Sequence, residues 1–215
     1  MAESKDPYTH RITLLRHGES TGNQQGLYQG RAEFDLSERG STQVSALADF
    51  WRHHGVTFAQ IISSPQARAQ QTARVISETL GIPLVLNELW QEIDNGLLAG
   101  LHLEEAAKKH PFPDIMTPYD PIGETGESNM DLYRRATMAV QELVRLPAGE
   151  YLVVSHGGFL NRVLYVILGI VPQVNFSGAH FQFGNTSYAV IKYDPARHIW
   201  MVEAFNNSPN LEPGN

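Results

Sequence analysis

Tyr151-Leu152-Val153-Val154 is apolar at every position, so a strand made from it has no face to offer to water. An unbroken run of this kind belongs in the middle of a parallel sheet with both faces covered, which requires helices above and below it. The run leads into Ser155-His156-Gly157-Gly158 and then the apolar helix Phe159 to Leu168. The same construction stands near the start of the chain, where Ile12, Leu14 and Leu15 around Thr13 lead into Arg16-His17-Gly18-Glu19-Ser20. Strand, glycine turn and helix N-terminus is a geometry that binds anions, because unpaired N–H groups and the positive helix end face the same point. Arg16 adds a forked cation suited to phosphate oxygens. His17 adds a nitrogen that can serve as nucleophile, base or metal ligand.

The rest of the chain alternates in the same way. Ser37 caps a helix with Val44, Leu47, Ala48 and Trp51 at helical spacing, closed by Gly55. A strand over Phe58 to Ile62 runs into Ser63-Ser64-Pro65, followed by a helix with Ala69, Thr72, Ala73, Ile76 and Leu80 inward and Gly81 at its end. Ile82 to Leu86 reads as a third strand and His102 to His110 as a short helix. The proline-rich run Pro111 to Gly126 is an irregular excursion, so a cap or lid is expected over 98–127. Ser128-Asn129-Met130-Asp131 is a capping-box pattern opening a helix with Leu132, Ala136, Val140 and Leu143 inward. Phe181 to Phe183, Tyr188 to Tyr193 and Ile199 to Phe205 read as strands, the last two joined at Asp194-Pro195. The expected fold is α/β: a three-layer α/β/α sandwich with a mostly parallel central sheet and an antiparallel edge strand. Residues 1–205 are expected to form one catalytic domain, and 206–215 a loose tail. Ligands in such folds bind beyond the carboxyl ends of the strands, where Arg16, His17, Arg68, Glu92 and His156 can meet.

Charge narrows the function. A formal net charge of -7 argues against nucleic acid and anionic membranes, both of which call for a basic face. The chain has no cysteine, which excludes thiolate metal sites and a cysteine nucleophile. The residues from Met1 to Asp6 form no apolar leader and no stretch has the length of a membrane span, so a cytoplasmic location is expected. An acidic protein that handles an anion must concentrate its few cations, and Arg68 stands out. Placed in the first turn of a helix it opposes the helix dipole, so an anionic partner is expected for it. Glu92 and Asp94 bracket Ile93 and put two carboxylates on one side of an extended segment.

Read in order, Arg16-His17-Gly18-Glu19-Ser20 with Asn23, Gln29-Gly30, Ser63-Ser64-Pro65-Gln66-Ala67-Arg68-Ala69-Gln70-Gln71-Thr72-Ala73, Glu92 four before Gly96, Gly126-Glu127-Ser128 and Ser155-His156-Gly157-Gly158 form one series. The series resembles the histidine phosphatase superfamily, and more closely its phosphoglycerate-mutase-like branch of small phosphatases. The resemblance runs from the first strand to about Asn185-Thr186-Ser187. The chain departs from the family pattern at Gly96-Leu97-Leu98-Ala99-Gly100, which lacks the aromatic residue common there and so reshapes one pocket wall.

The resemblance implies that His17 attacks phosphorus and becomes a phosphohistidine, with a backbone carbonyl on its other nitrogen fixing the tautomer. Arg16, Arg68 and His156, assisted by Asn23, would hold the equatorial oxygens. Gln29, Gly30 and Gly157 would complete the substrate contacts. Glu92 would protonate the leaving alkoxide, a role that requires a carboxyl entering the cycle protonated and favours burial; Asp94 and Glu88 are the alternative acids. Among the other histidines, His10, His53, His54, His102, His110 and His198 read as surface or core residues, and His180 carries no assignment. No metal and no cofactor is expected. The expected partner is a small phosphorylated metabolite, with inorganic phosphate as product. Three functions follow in order: a metal-independent phosphomonoesterase, a phosphoglycerate mutase and a non-catalytic phospho-ligand module. A mutase would need added basic residues after the glutamate, where this chain offers Lys108 and Lys109 but no arginine between Arg74 and Arg134.

Overall fold

In the computed structural model, which describes residues 7–208, one six-stranded sheet orders the molecule. The strands are β1 (His10–Arg16), β2 (Gln60–Ser63), β3 (Leu84–Leu86), β4 (Gly149–Ser155), β5 (Tyr188–Asp194) and β6 (Ile199–Asn207), in spatial order β3-β2-β4-β1-β5-β6. The first four in that order run parallel; β5 is antiparallel to β1, and β6 to β5, so the hairpin forms one edge. The apolar run of β4 sits between β2 and β1, in the central position that its composition requires.

The helices are α1 (Thr21–Gln24), α2 (Glu38–His53), α3 (Ala67–Leu80), α4 (Leu103–Lys109), α5 (Asn129–Arg145) and α6 (Gly157–Leu168). Two-residue alternation along the strands divides the core. Leu15, Leu152 and Val154 pack against Val44, Leu47 and Trp51 of α2 and Ala69, Ala73 and Ile76 of α3. Ile12, Leu14 and Val153 pack on the other side against Leu132, Ala136 and Leu143 of α5 and Phe159, Leu160 and Val163 of α6. The result is the three-layer sandwich, with a buried core on each face of the sheet.

Local signals account for the helix ends. Ser37 and Ser128 cap α2 and α5, each accepting a backbone N–H three residues on. Gly81 closes α3 in the left-handed conformation at φ +68°, which a side chain would strain. The 98–127 excursion has a small core of its own, Leu98, Ala106, Met116 and Ile122, with Tyr28 and Phe176 packed on it.

Two expectations are corrected. Phe181 to Phe183 forms no strand: the chain there is irregular, and the carbonyl of Phe183 accepts from Arg16 instead of from a neighbouring strand. Asn206 and Asn207, expected in a loose tail, belong to β6, and the register partner of Asn207 is Tyr188. Positions 209–215 lie outside the described residues.

Candidate active site

Register assembles the site. In the β1–β4 ladder Arg16 pairs with Ser155, so the next residues, His17 and His156, leave the two central strands side by side. The His17 N–H donates to the Ser155 carbonyl at 3.0 Å, and the imidazole centroids are 5.1 Å apart, edge to face. Ser63 of β2 pairs with Val154, which brings Ser64 alongside, its Oγ 2.8 Å from Nε2 of His156.

His17 is 2% exposed, and its Nδ1 lies 2.7 Å from the Gly18 carbonyl. A carbonyl only accepts, so Nδ1 carries the proton and Nε2 keeps its lone pair. Nε of Arg68 donates to that Nε2 at 3.3 Å. Burial, then Arg68 and Arg16, hold the His17 ring well below the usual imidazole range. Burial and the same two guanidiniums do the same to His156, with His17 and Arg135 adding to them. Both rings are therefore neutral at neutral pH.

Arg68 is 1% exposed and donates to the carbonyls of Gly30 at 2.8 Å and Ala32 at 3.0 Å. No carboxylate forms an ion pair with it among the described residues. Its charge is held by dipoles and by a neutral imidazole. Burial lowers its pKa to about 10, opposed by the fields of Glu92 and Glu33 and aided by Arg16, so it stays a cation. Arg16 donates to Phe183 O at 2.6 Å, and burial lowers its pKa against the opposing field of Glu92. Its Nε is buried with no hydrogen-bond partner, and so is Nδ1 of His156. Orphaned buried polar atoms are rare, and two of them flank one imidazole pair here.

Glu92 reaches the site from the segment after β3. Its Oε1 accepts from the N–H of Phe159 at 2.8 Å and of Ile93 at 2.9 Å, and its Oε2 from the N–H of Gly158 at 3.1 Å. The carboxyl thus sits at the positive end of α6, half-buried rather than enclosed as expected. Gly158 permits this approach, since a Cβ there would lie 2.8 Å from Oε1. Arg16 and Glu92 share the wall of a cavity of about 380 Å³ with Gly157, Asn161, His180 and the 181–183 segment. The alternative acids are placed elsewhere. Asp94 accepts from the Gly96 N–H and faces Arg31, and Glu88 lies in a single helical turn before Trp90.

The remaining expected contacts are engaged within the protein. Asn23 Oδ1 accepts from the Ser20 N–H and from Asn185, Gln29 Oε1 accepts from Ser20 Oγ, and the Gly30 carbonyl holds both Arg68 and Gln66. Gly157 lies beside the Arg16 side chain and on the cavity wall.

Arg135 was not found by sequence reasoning. It donates to the carbonyls of Leu89, Gln91 and Glu92, forms a bidentate pair with Glu127 and lies 4.4 Å over the Phe159 ring. It clamps the segment that presents Glu92. A signal existed: Arg135 falls on the buried stripe of α5, between Leu132 and Ala139, where a cation needs partners. His180 and Asn161 also reach the cavity, from a loop and from the apolar side of a helix.

The family model of the histidine phosphatase superfamily (branch 1) matches residues 12–208. The chain belongs to that superfamily. This histidine phosphatase is 28% identical over 208 residues to the probable phosphoglycerate mutase GpmB of Yersinia enterocolitica, with 94% of each chain covered. YhfR of Bacillus stearothermophilus superposes with a TM-score of 0.80 at 27% identity, over 94% of this chain and all of that one. Mycobacterial glucosyl-3-phosphoglycerate phosphatase in complex with VO3 superposes at 0.76 with 26% identity, over 92% and 99%. Phosphatases and a mutase therefore share this frame, and the phosphatase reading is the one that family and fold support.

Proposed function

We propose that this histidine phosphatase hydrolyses small phosphate monoesters through a phosphohistidine on Nε2 of His17, without a metal ion. The observation that carries the reading is the pair of orphaned groups, Arg16 Nε and His156 Nδ1, buried beside a neutral imidazole whose free nitrogen faces Arg68. A phosphoryl group seated there receives donors from the two guanidiniums and from His156, which neutralise its equatorial oxygens. Nε2 forms the bond to phosphorus while the P–O ester bond breaks. The positive charge appearing on the ring is met at Nδ1–H by the Gly18 carbonyl. Glu92 gives its proton to the leaving oxygen; it then takes one from the water that cleaves the P–N bond, which restores both groups. Asn23, Gln29 and Gly30 serve by holding the 17–30 loop and Arg68 in place, and Gly157 lines the cavity beside Arg16. The setting is the cytoplasm.

Hydrolysis of p-nitrophenyl phosphate tests this. Turnover is expected to survive EDTA, to show a phosphoenzyme that is trapped by an alkaline quench and lost in acid, and to fall at least about 10³-fold in His17→Ala. Glu92→Gln is expected to lose far more with alkyl than with nitrophenyl esters, since only the poor leaving group needs the proton. Turnover that requires added metal, or a fully active His17→Ala, overturns the reading. Conversion of 3- to 2-phosphoglycerate faster than hydrolysis would make it a mutase.

A further inference from the structure

The cavity beyond Arg16 and Glu92 has a chemical character of its own. At about 380 Å³ it is at the small end for metabolite sites, which run to roughly 1,000 Å³. Its charged groups are Arg16 and Glu92, both at the phosphoryl end. The rest of the wall consists of Gly157, Gly158, Asn161, His180 and the 181–183 segment. Asn161 is 5% exposed and stands on α6, one turn beyond the glycine that admits Glu92. Its Nδ2 donates to His180 Nδ1 at 3.1 Å, and its Oδ1 is buried without a partner. A buried amide oxygen left unpaired costs on the order of 1–3 kcal/mol, and a ligand hydroxyl removes that cost. With the amide turned over, an unpaired N–H would stand in its place and would still take a ligand hydroxyl, through its oxygen, while the selection against a carboxylate would then rest on Glu92.

Arg162, the residue after Asn161, is not on this wall. Its Nε donates to Asn129 Oδ1 at 2.6 Å and its guanidinium lies 4.5 Å over the Tyr165 ring. A carboxylate entering the chamber would meet neutral amides, aromatic residues, the His180 imidazole and the carboxyl of Glu92, with Arg16 already engaged by the phosphoryl group. A hydroxylated, uncharged chain would meet an acceptor, an imidazole and apolar ring faces.

We infer that Asn161, with His180 behind it, selects esters whose alcohol portion is a neutral polyol and disfavours those carrying a carboxylate. This assignment rests on the phosphomonoesterase reading given above. Glycerol 3-phosphate and 3-phosphoglycerate form a matched pair for it, because they differ only in a terminal CH2OH or carboxylate. The expected kcat/KM ratio favours glycerol 3-phosphate at least tenfold. Asn161→Leu is expected to shrink that ratio at least fivefold, through KM for the polyol ester, and to affect p-nitrophenyl phosphate less than glycerol 3-phosphate. His180→Ala, at an exposed position that does not endanger folding, is expected to shift the ratio in the same direction. Hydrolysis of p-nitrophenyl phosphate with 3-phosphoglycerate equal or preferred, or with neither three-carbon ester taken, overturns the assignment alone. So does a uniform loss on all three esters in Asn161→Leu with no shift in His180→Ala. Failure on p-nitrophenyl phosphate ends the phosphatase reading and this assignment together.

Discussion

At the scale of the residue, burial sets the protonation of the proposed nucleophile. An imidazole in water is half-protonated near pH 6.5, and the protonated form has no lone pair on the attacking nitrogen. His17 escapes this because burial and two guanidiniums disfavour its cation, as they do for His156. The same shift affects folding. Below about pH 6.5 the unfolded chain takes up protons at both histidines that the folded chain refuses, so stability falls as pH falls through that window and is complete above it. The slope is at most about 1.4 kcal/mol per pH unit for each ring. Unfolding temperatures measured from about pH 5 to pH 7 are expected to rise, and His156→Gln is expected to flatten the rise. An unchanged slope in that variant would show His156 to be protonated in the folded state. His17, Arg16, Arg68 and His156 were legible from the chain because each follows a strand or opens a helix. Arg135 was not, since its function is a set of carbonyls 43 to 46 residues away in sequence.

At the scale of the element, α2 supports the catalytic turn. Ser37 donates to the Glu19 carboxylate at 2.8 Å and Gln43 accepts the Glu19 N–H at 3.0 Å, so the start of the helix holds residues 17–20 in place. Gly40 lies directly against that turn, where an added Cβ would stand 1.9 Å from the Glu19 carbonyl oxygen. Alanine would gain up to about 1 kcal/mol in helix propensity, against a backbone clash of roughly 1–3 kcal/mol or more. The clash wins. Gly40→Ala is expected to lower both the unfolding temperature and kcat by displacing His17; a stabilised, fully active variant would disprove the contact. The strands and the longer helices were readable from period and caps, whereas the short α1 lies in a stretch whose composition reads as loop, and the 181–183 segment is no strand. Its alternating aromatics look like a strand, but they fill a cavity wall and the gap beside β6, with Phe183 stacked edge-to-face on Phe205.

At the scale of the whole molecule, a chain of net charge -7 gathers Arg16 and Arg68 around one point where, among the described residues, no carboxylate forms an ion pair with Arg68. That local field is what phosphate binding neutralises. Inorganic phosphate at about 100 times its Kd should stabilise the fold by roughly 2.7 kcal/mol, about 5–10 °C in unfolding temperature, and Arg68→Ala should abolish the shift. An equal shift in that variant would place the anion elsewhere. Local sequence by itself determined the order of strands and helices, the layers that an all-apolar strand demands, and the two histidine turns, because periodicity and caps act over a few residues. Tertiary structure alone decided that those turns become neighbours, that Glu92 lies on the end of α6, and that Asn161 faces a shared cavity. These depend on strand register and on packing between segments far apart in the chain, which no local pattern encodes.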